Sequence, residues 1–212
     1  MRTTILFLFA IISLACAAEK AADTDRDGDA TTDVSPEAFV PVQSPLRVGY
    51  ARVDVSPPDG TVLGGFGSPG GFRTTTGVHD PLLAQALMFV NDADAAFLLI
   101  TIDSACYFWE FGGSGPGLRE VRERIVEGLK GKVPLAVEGI LITSSHSHAA
   151  PDMAGFWQAI RQPIPREQLD QHADWLVAAG LAAAEALEPA TLHVGSTILE
   201  GYTGRDSGCS EI

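Results

Sequence analysis

Two apolar segments joined by a short polar turn constrain this fold more than any other feature. Residues 82–90 and 95–103 are rich in aliphatic side chains, and residues 91–94 (Asn-Asp-Ala-Asp) separate them. Apolar runs of this length around a cluster of turn-forming residues predict a β-hairpin. Because both runs are nearly continuous in their apolar character, we expect the hairpin to be buried within a larger sheet.

The other periodic patterns place helices and further strands around this hairpin. Alternating or apolar patterns predict strands over residues 46–55, 137–144 and 190–199. Apolar side chains recur at helical spacing over residues 117–130, and Pro165 is well placed to begin a second helix that runs to Leu187. The order strand, hairpin, helix, strand, helix, strand is typical of an α/β fold that has a mixed sheet with flanking helices.

The amino terminus has the pattern of a secretion signal. Arg2 precedes an apolar run over residues 5–14, and Ala15-Cys16-Ala17 supplies small residues for cleavage, which predicts a signal peptide over residues 1–17. A run of about ten residues is too short to cross a bilayer as a helix, which takes roughly 20, and no later segment approaches that length. We therefore expect an extracytoplasmic protein with no spanning helix.

Cys16 leaves two modes of export open. Residues 13–16 resemble a bacterial lipoprotein box, in which case the signal covers residues 1–15 and a lipid on Cys16 attaches the protein to the membrane. The same residues also suit ordinary cleavage and release, so the protein is secreted, periplasmic or lipid-anchored. Residues 18–45 are acidic, small and interrupted by proline, which predicts a flexible linker.

The net charge argues against a nucleic acid partner, and the sequence around the glycine pattern argues against dinucleotide binding. The formal net charge is −13, whereas nucleic acids favour clustered Lys and Arg, so we expect no nucleic acid partner. Residues 65–70 match the G-x-G-x-x-G pattern of dinucleotide-binding proteins. That pattern needs a helix to begin at its glycines, and Pro69 with the threonines at 74–76 disfavours one.

A histidine-rich segment follows the predicted strand 137–144. If the backbone stays extended, His146 and His148 point to the same side and can approach one metal ion, and imidazole is a good ligand for Zn²⁺. The alternative is that both histidines lie on an ordinary polar loop. Asp103 ends the strand 95–103, and its carboxylate could orient either histidine or cap the next turn.

Four sequence segments together resemble the amino-terminal half of the neutral/alkaline ceramidase family. The resemblance runs from about residue 46 to about residue 205, and the histidine segment is its most specific part. The matching segments are Gly64-Gly65-Phe66, Gly77-Val78-His79-Asp80-Pro81-Leu82, the strand 98–103, and Thr143-Ser144-Ser145-His146-Ser147-His148-Ala149-Ala150-Pro151.

This resemblance implies a zinc-dependent hydrolase of amide bonds that acts on N-acyl sphingoid or related N-acyl substrates. It implies that His146 is a zinc ligand and that His148 stabilises the developing oxyanion or transfers protons. It also places His79 and Gly65 near the substrate. The fold it implies is the amino-terminal part of the ceramidase catalytic domain, with the matching domain over residues 46–212.

Two departures from the family pattern keep a second interpretation open. Small residues differ around the histidines, where Ser145, Ser147, Ala149 and Ala150 replace Thr, Thr, Ser and Gly. The family's other zinc ligands, a second His, a Glu and a Tyr, lie beyond the matched region, so the domain is expected to be incomplete. The alternative is a non-catalytic, extracytoplasmic binding or vestigial domain with an incomplete metal site.

Overall fold

A computed structural model describes residues 45–65, 72–91, 95–158 and 163–193. The predicted signal peptide and nearly all of the predicted linker lie outside these residues. Five strands form one sheet, with the spatial order β4-β3-β2-β1-β5. The strands are β1 (Leu46–Asp54), β2 (Leu83–Asn91), β3 (Ala96–Ile102), β4 (Ile140–Ser144) and β5 (Glu188–Ala190). The helices are α1 (Leu118–Leu129) and α2 (Arg166–Glu185).

The sheet is mixed, as the sequence predicts. Strands β1, β2 and β3 are antiparallel neighbours, β3 and β4 are parallel, and β5 pairs antiparallel with β1. Strands β1, β3 and β4 therefore end at the same edge of the sheet, where β2 begins. We call this edge the carboxyl edge, and it collects the loops that follow β1, β3 and β4.

The core lies between one face of the sheet and the two helices. Alternate residues of β2 and β3 are fully buried on this face, and the periodic apolar stripes of both helices pack against them. The stripe predicted for α1 is the buried one, since Val121, Ile125 and Leu129 are at most 2% exposed. Large side chains on the opposite face stay partly exposed among the described residues, including Phe97 of β3 and Leu141 of β4. The predicted hairpin is thus present, but it is covered more completely on one face than on the other.

Two predicted strands differ from the structure. The first residues of the segment 137–144 form a 3₁₀ turn (Val137–Gly139), in which Gly139 donates its N–H to the carbonyl of Ala136, and the strand begins only at Ile140. The predicted strand 190–199 is wrong at residues 191–193, which are not in a strand, and the short β5 begins earlier, at Glu188, and ends at Ala190. Pro189 has no N–H for a ladder, which suits the edge position of β5. Residues 194–199 lie outside the described residues.

No helix within the described residues is long and apolar enough to cross a membrane.

His172 of α2 is a buried part of the core. Its side chain is 1% exposed, its Nδ1 lies 2.9 Å from the carbonyl oxygen of Gln168, and its ring contacts Tyr107 and Trp175. Burial lowers the pKa of His172 from 6.5 to about 4, and the hydrogen bond to Gln168 opposes this shift only in part. The imidazole is therefore neutral in the folded protein at neutral pH.

The lowered pKa of His172 predicts a loss of stability in mild acid. Between pH 6.5 and about 4 the unfolded chain binds a proton that the folded chain does not, so the free energy of unfolding falls as the pH falls. The contribution of His172 to this slope approaches about 1.4 kcal/mol per pH unit. Denaturant unfolding over this range should show a flatter pH dependence for His172→Phe than for the wild type. Equal slopes in the two proteins would contradict the prediction.

Candidate functional site

Backbone hydrogen bonds join the loops of the carboxyl edge to one another. Gly64 donates its N–H to the carbonyl of Ala150 at 2.8 Å, and Asp152 donates to the carbonyl of Val62 at 2.9 Å. The N–H of Ser145 bonds the carbonyl of Ile102, at the end of β3. The glycine-containing loop after β1 is thereby fixed against the histidine segment after β4.

His146 has a backbone conformation that the sequence does not predict. Strand β4 ends at Ser144, and His146 has a φ of 60°, the one positive φ of a non-glycine residue in the described part of the chain. The backbone is therefore not extended at His146, so the condition under which the two histidines would point to the same side is not met. Positive φ costs energy for a side chain other than glycine and is often found where surrounding contacts fix a functional group.

A carbonyl group determines which ring nitrogen of His146 carries the proton. Nδ1 of His146 lies 2.5 Å from the carbonyl oxygen of Ala105, in the loop after β3. A carbonyl can only accept, so Nδ1 carries the hydrogen and the neutral ring has its lone pair on Nε2. A metal-ligating histidine commonly donates its second nitrogen to a carbonyl or carboxylate in this way. His146 thus has the tautomer of an Nε2 metal ligand.

The half-buried ring of His148 lies against His146, Trp157 and Gly65. Its ring centroid lies 5.0 Å from that of His146, with the ring planes at 78°, and 5.8 Å from the ring of Trp157. The third neighbour is the backbone of Gly65. A Cβ atom on Gly65 would lie 2.5 Å from Cγ of His148 and 2.7 Å from its Cβ, closer than real side chains allow. Because Gly65 has no side chain, the His148 ring has room beside it.

Asp103 bonds the start of the neighbouring strand. Its Oδ2 accepts the N–H of Leu83 at 3.0 Å, and its own N–H bonds the carbonyl of Leu83 at 2.9 Å. These bonds link the end of β3 to the start of β2 and not to the turn that follows β3. The acceptor that orients His146 is the carbonyl of Ala105, two residues further along the chain.

His79 lies on the loop that enters β2 at the same edge of the sheet. Its side chain is 97% exposed, and its Nδ1 lies 2.7 Å from Oδ2 of Asp80. The structure therefore brings Gly65, His146 and His148 together, while the contacts of His79 and Asp103 are with other residues.

Sequence reasoning did not identify two residues that shape this site, Ala105 and Trp157. A backbone carbonyl acceptor has no signature in the sequence, because any residue type can supply one. Trp157 follows the histidine segment by several residues, and its contact with His148 depends on how the intervening turn closes.

Cys106 is placed near the site but has the wrong electrostatics for a nucleophile. Burial raises the pKa of its thiol, and the charge of Asp152 raises it further. A nucleophilic cysteine needs a lowered pKa, since the thiolate is the reactive form. A cysteine hydrolase is therefore disfavoured.

Within the described ranges, no group of three or more His, Cys, Asp and Glu side chains is arranged to hold a metal ion. The hydrogen bond of His146 suits an Nε2 ligand, whereas a catalytic zinc takes three protein ligands. Further donors would have to come from outside the described residues.

The fold and the site define an α/β protein whose candidate functional loops lie beyond the carboxyl ends of its parallel strands, where such proteins usually bind their ligands. Two solved structures share this fold with the chain. The first is a neutral ceramidase from Pseudomonas aeruginosa, with a TM-score of 0.51 and 20% identity. The second is a ceramidase complexed with C2, with a TM-score of 0.51 and 19% identity.

These comparisons establish a ceramidase-like fold. Each covers 69% of this chain but only 22% of the ceramidase chain, so the protein spans about a fifth of the length of the structures it matches. No protein-family model matches the sequence, and no curated protein does so either.

Proposed function

We propose that this protein is a zinc-dependent hydrolase of amide bonds, with N-acyl sphingoid or related N-acyl compounds as substrates. The observation that carries the proposal is the His146–Ala105 hydrogen bond, because it leaves the lone pair of His146 on Nε2 beside the ring of His148. The ceramidase-like fold supports the same reaction class.

In this proposal His146 holds the zinc together with donors from outside the described residues. A bound Zn²⁺ polarises the amide carbonyl and lowers the pKa of its water towards ~7. The ring of His148 lies beside that of His146 and contacts Gly65 and Trp157. It is therefore placed to donate a hydrogen bond to the developing oxyanion or to protonate the leaving amine.

Exposed aromatic side chains on the same edge of the sheet support an apolar substrate. Phe108 and Trp109, in the loop after β3, are 40% and 48% exposed, and Phe156, next to Trp157, is 74% exposed. Tyr107 and Phe111 of the same aromatic run pack into the core instead. Phe156 contacts Trp157, which contacts His148, and exposed apolar groups commonly mark a binding surface.

The direct test is hydrolysis of an N-acyl sphingosine by the purified protein, measured as release of fatty acid with and without added Zn²⁺. We expect release that depends on zinc and stops when a chelator removes the metal. Zinc content by elemental analysis is measured on the same sample. Hydrolysis that a chelator leaves unchanged would contradict the zinc mechanism.

The second candidate is a non-catalytic extracytoplasmic domain with an incomplete metal site. The absence of a three-donor cluster within the described residues favours it. Zinc content at background together with no release of fatty acid would support this candidate over the hydrolase.

We also propose that the protein is exported and attached to the membrane by a lipid on Cys16. The apolar run at residues 5–14 and the acidic segment at 18–45 support this proposal, as a signal and a tether. In a bacterial host we expect the wild type in the membrane fraction and Cys16→Ser in the soluble fraction. The mass of the mature amino terminus should show an acylated cysteine. Release of the wild type after cleavage within residues 15–17, with no acyl group, would contradict lipid attachment.

A further inference from the structure

The Asp152 carboxylate is fully buried and is the centre of a turn. Its Oδ1 accepts the N–H groups of Ala154 and Gly155, at 3.0 and 2.9 Å, and its Oδ2 accepts the N–H of Trp157 at 2.9 Å. A buried carboxylate is costly unless its oxygens are bonded, and three backbone donors supply those bonds. The carboxylate therefore dictates the path of residues 153–157.

Other atoms of Asp152 anchor the residue independently of its carboxylate. Its N–H bonds the carbonyl of Val62, and its carbonyl accepts Nε2 of Gln168 at 3.1 Å from helix α2. The base of the turn is thus fixed by backbone atoms. The side-chain carboxylate determines the path of the turn that follows, over residues 153–157.

That shape brings the Trp157 ring against His148. The Trp157 N–H is the most distant of the three donors along the chain, and its bond to Oδ2 closes the turn. The indole then lies edge-on to the His148 ring, with 5.8 Å between the ring centroids. The backbone of Gly65 lies against the same His148 side chain. Oδ2 is thus linked to His148 through the tryptophan, whereas the bonds described for the carboxylate itself all go to backbone N–H groups of the turn.

We propose that Asp152 is a positioning residue that fixes the orientation of His148 by holding Trp157 against it. This role rests on the proposed function, in which His148 acts on the substrate. The contact itself can be measured without metal or substrate. A failure of the positioning role can therefore be distinguished from a failure of the proposed hydrolase function.

The experiment records the carbon-bound ring protons of His148 by NMR in the metal-free full chain, at about pH 8.5, above the range in which imidazoles usually titrate. An indole ring shifts nearby protons through its ring current, so Trp157→Leu gives the reference position without the contact. In Asp152→Asn the side-chain oxygen can keep the two bonds to Ala154 and Gly155. The side-chain NH2 group then faces the Trp157 N–H, and because both groups are donors, the bond to Trp157 is lost. We expect the His148 signals to move most of the way to the Trp157→Leu position.

Two further variants make the result specific. Asp152→Ser keeps a short acceptor for the nearby N–H groups but cannot reach Trp157, so it should give the same shift without adding a donor. Asp54→Asn alters a carboxylate that caps another turn at this edge, through Ser56 N–H at 2.8 Å, and should leave His148 unchanged. His148 signals at the wild-type position in both folded Asp152 variants would overturn the proposal. If the His148 signals shift in those variants but the wild-type protein hydrolyses no N-acyl substrate, only the hydrolase proposal is overturned.

Discussion

Replacing His146 with alanine is expected to reduce bound zinc to background and to abolish hydrolysis of an N-acyl substrate. In the proposed hydrolase His146 is a zinc ligand, since its Nδ1–H is committed to the carbonyl of Ala105 and its Nε2 carries the lone pair. Removing a ligand from a site with few donors leaves too few to retain the metal. Elemental analysis and the fatty-acid release assay measure the two effects on one preparation.

Two control variants separate the loss of a ligand from a loss of structure. Asparagine tolerates a positive φ better than most residues, so His146→Asn should lose the metal while destabilising the turn less than alanine does. His193 is exposed beyond β5, which lies at the far side of the sheet from β4, so His193→Ala should keep both zinc and activity. If His146→Ala retains zinc, the metal is held by residues other than His146.

The regular elements were accessible from the sequence because their signals are local. The helical stripe of α1 and the apolar pair that forms β2 and β3 depend on side chains a few residues apart, and the structure has both. Strand β5 was misplaced because an edge strand of three residues is selected by its pairing with β1, which lies far away in the chain. Local patterns do not encode that pairing.

The candidate site was only partly accessible for the same reason. The His-x-His spacing correctly drew attention to His146 and His148, but the adjacency of the rings comes from the positive φ of His146 and not from an extended strand. That φ is set together with the bond to Ala105, which belongs to the loop after a different strand. Tertiary contacts of this kind leave no periodic signal for a sequence pattern to reveal.

Replacing Gly49 with alanine is expected to lower the free energy of unfolding by about 3 kcal/mol, at the upper end of what overpacking usually costs. Gly49 lies in the middle of β1, where strand propensity alone would favour alanine. In the structure, however, a Cβ atom at this position would overlap the carbonyl oxygen of Ala183 and lie 3.0 Å from its carbonyl carbon. It would also lie 3.1 Å from the backbone nitrogen of Leu187. All three atoms belong to the backbone at the end of α2, so no side-chain rotation can relieve the overlap.

Gly128→Ala is the matched control, because it adds the same methyl group where the neighbour can move. Gly128 is an exposed residue of α1, and the three atoms nearest to its added Cβ would be side-chain atoms of Leu181, the nearest at 2.8 Å. Helix propensity favours alanine over glycine by about 1 kcal/mol, so this variant should be neutral or stabilised. Denaturant unfolding of both variants measures the contrast. If Gly49→Ala is as stable as the wild type, α2 does not pack on β1 at the distance described here.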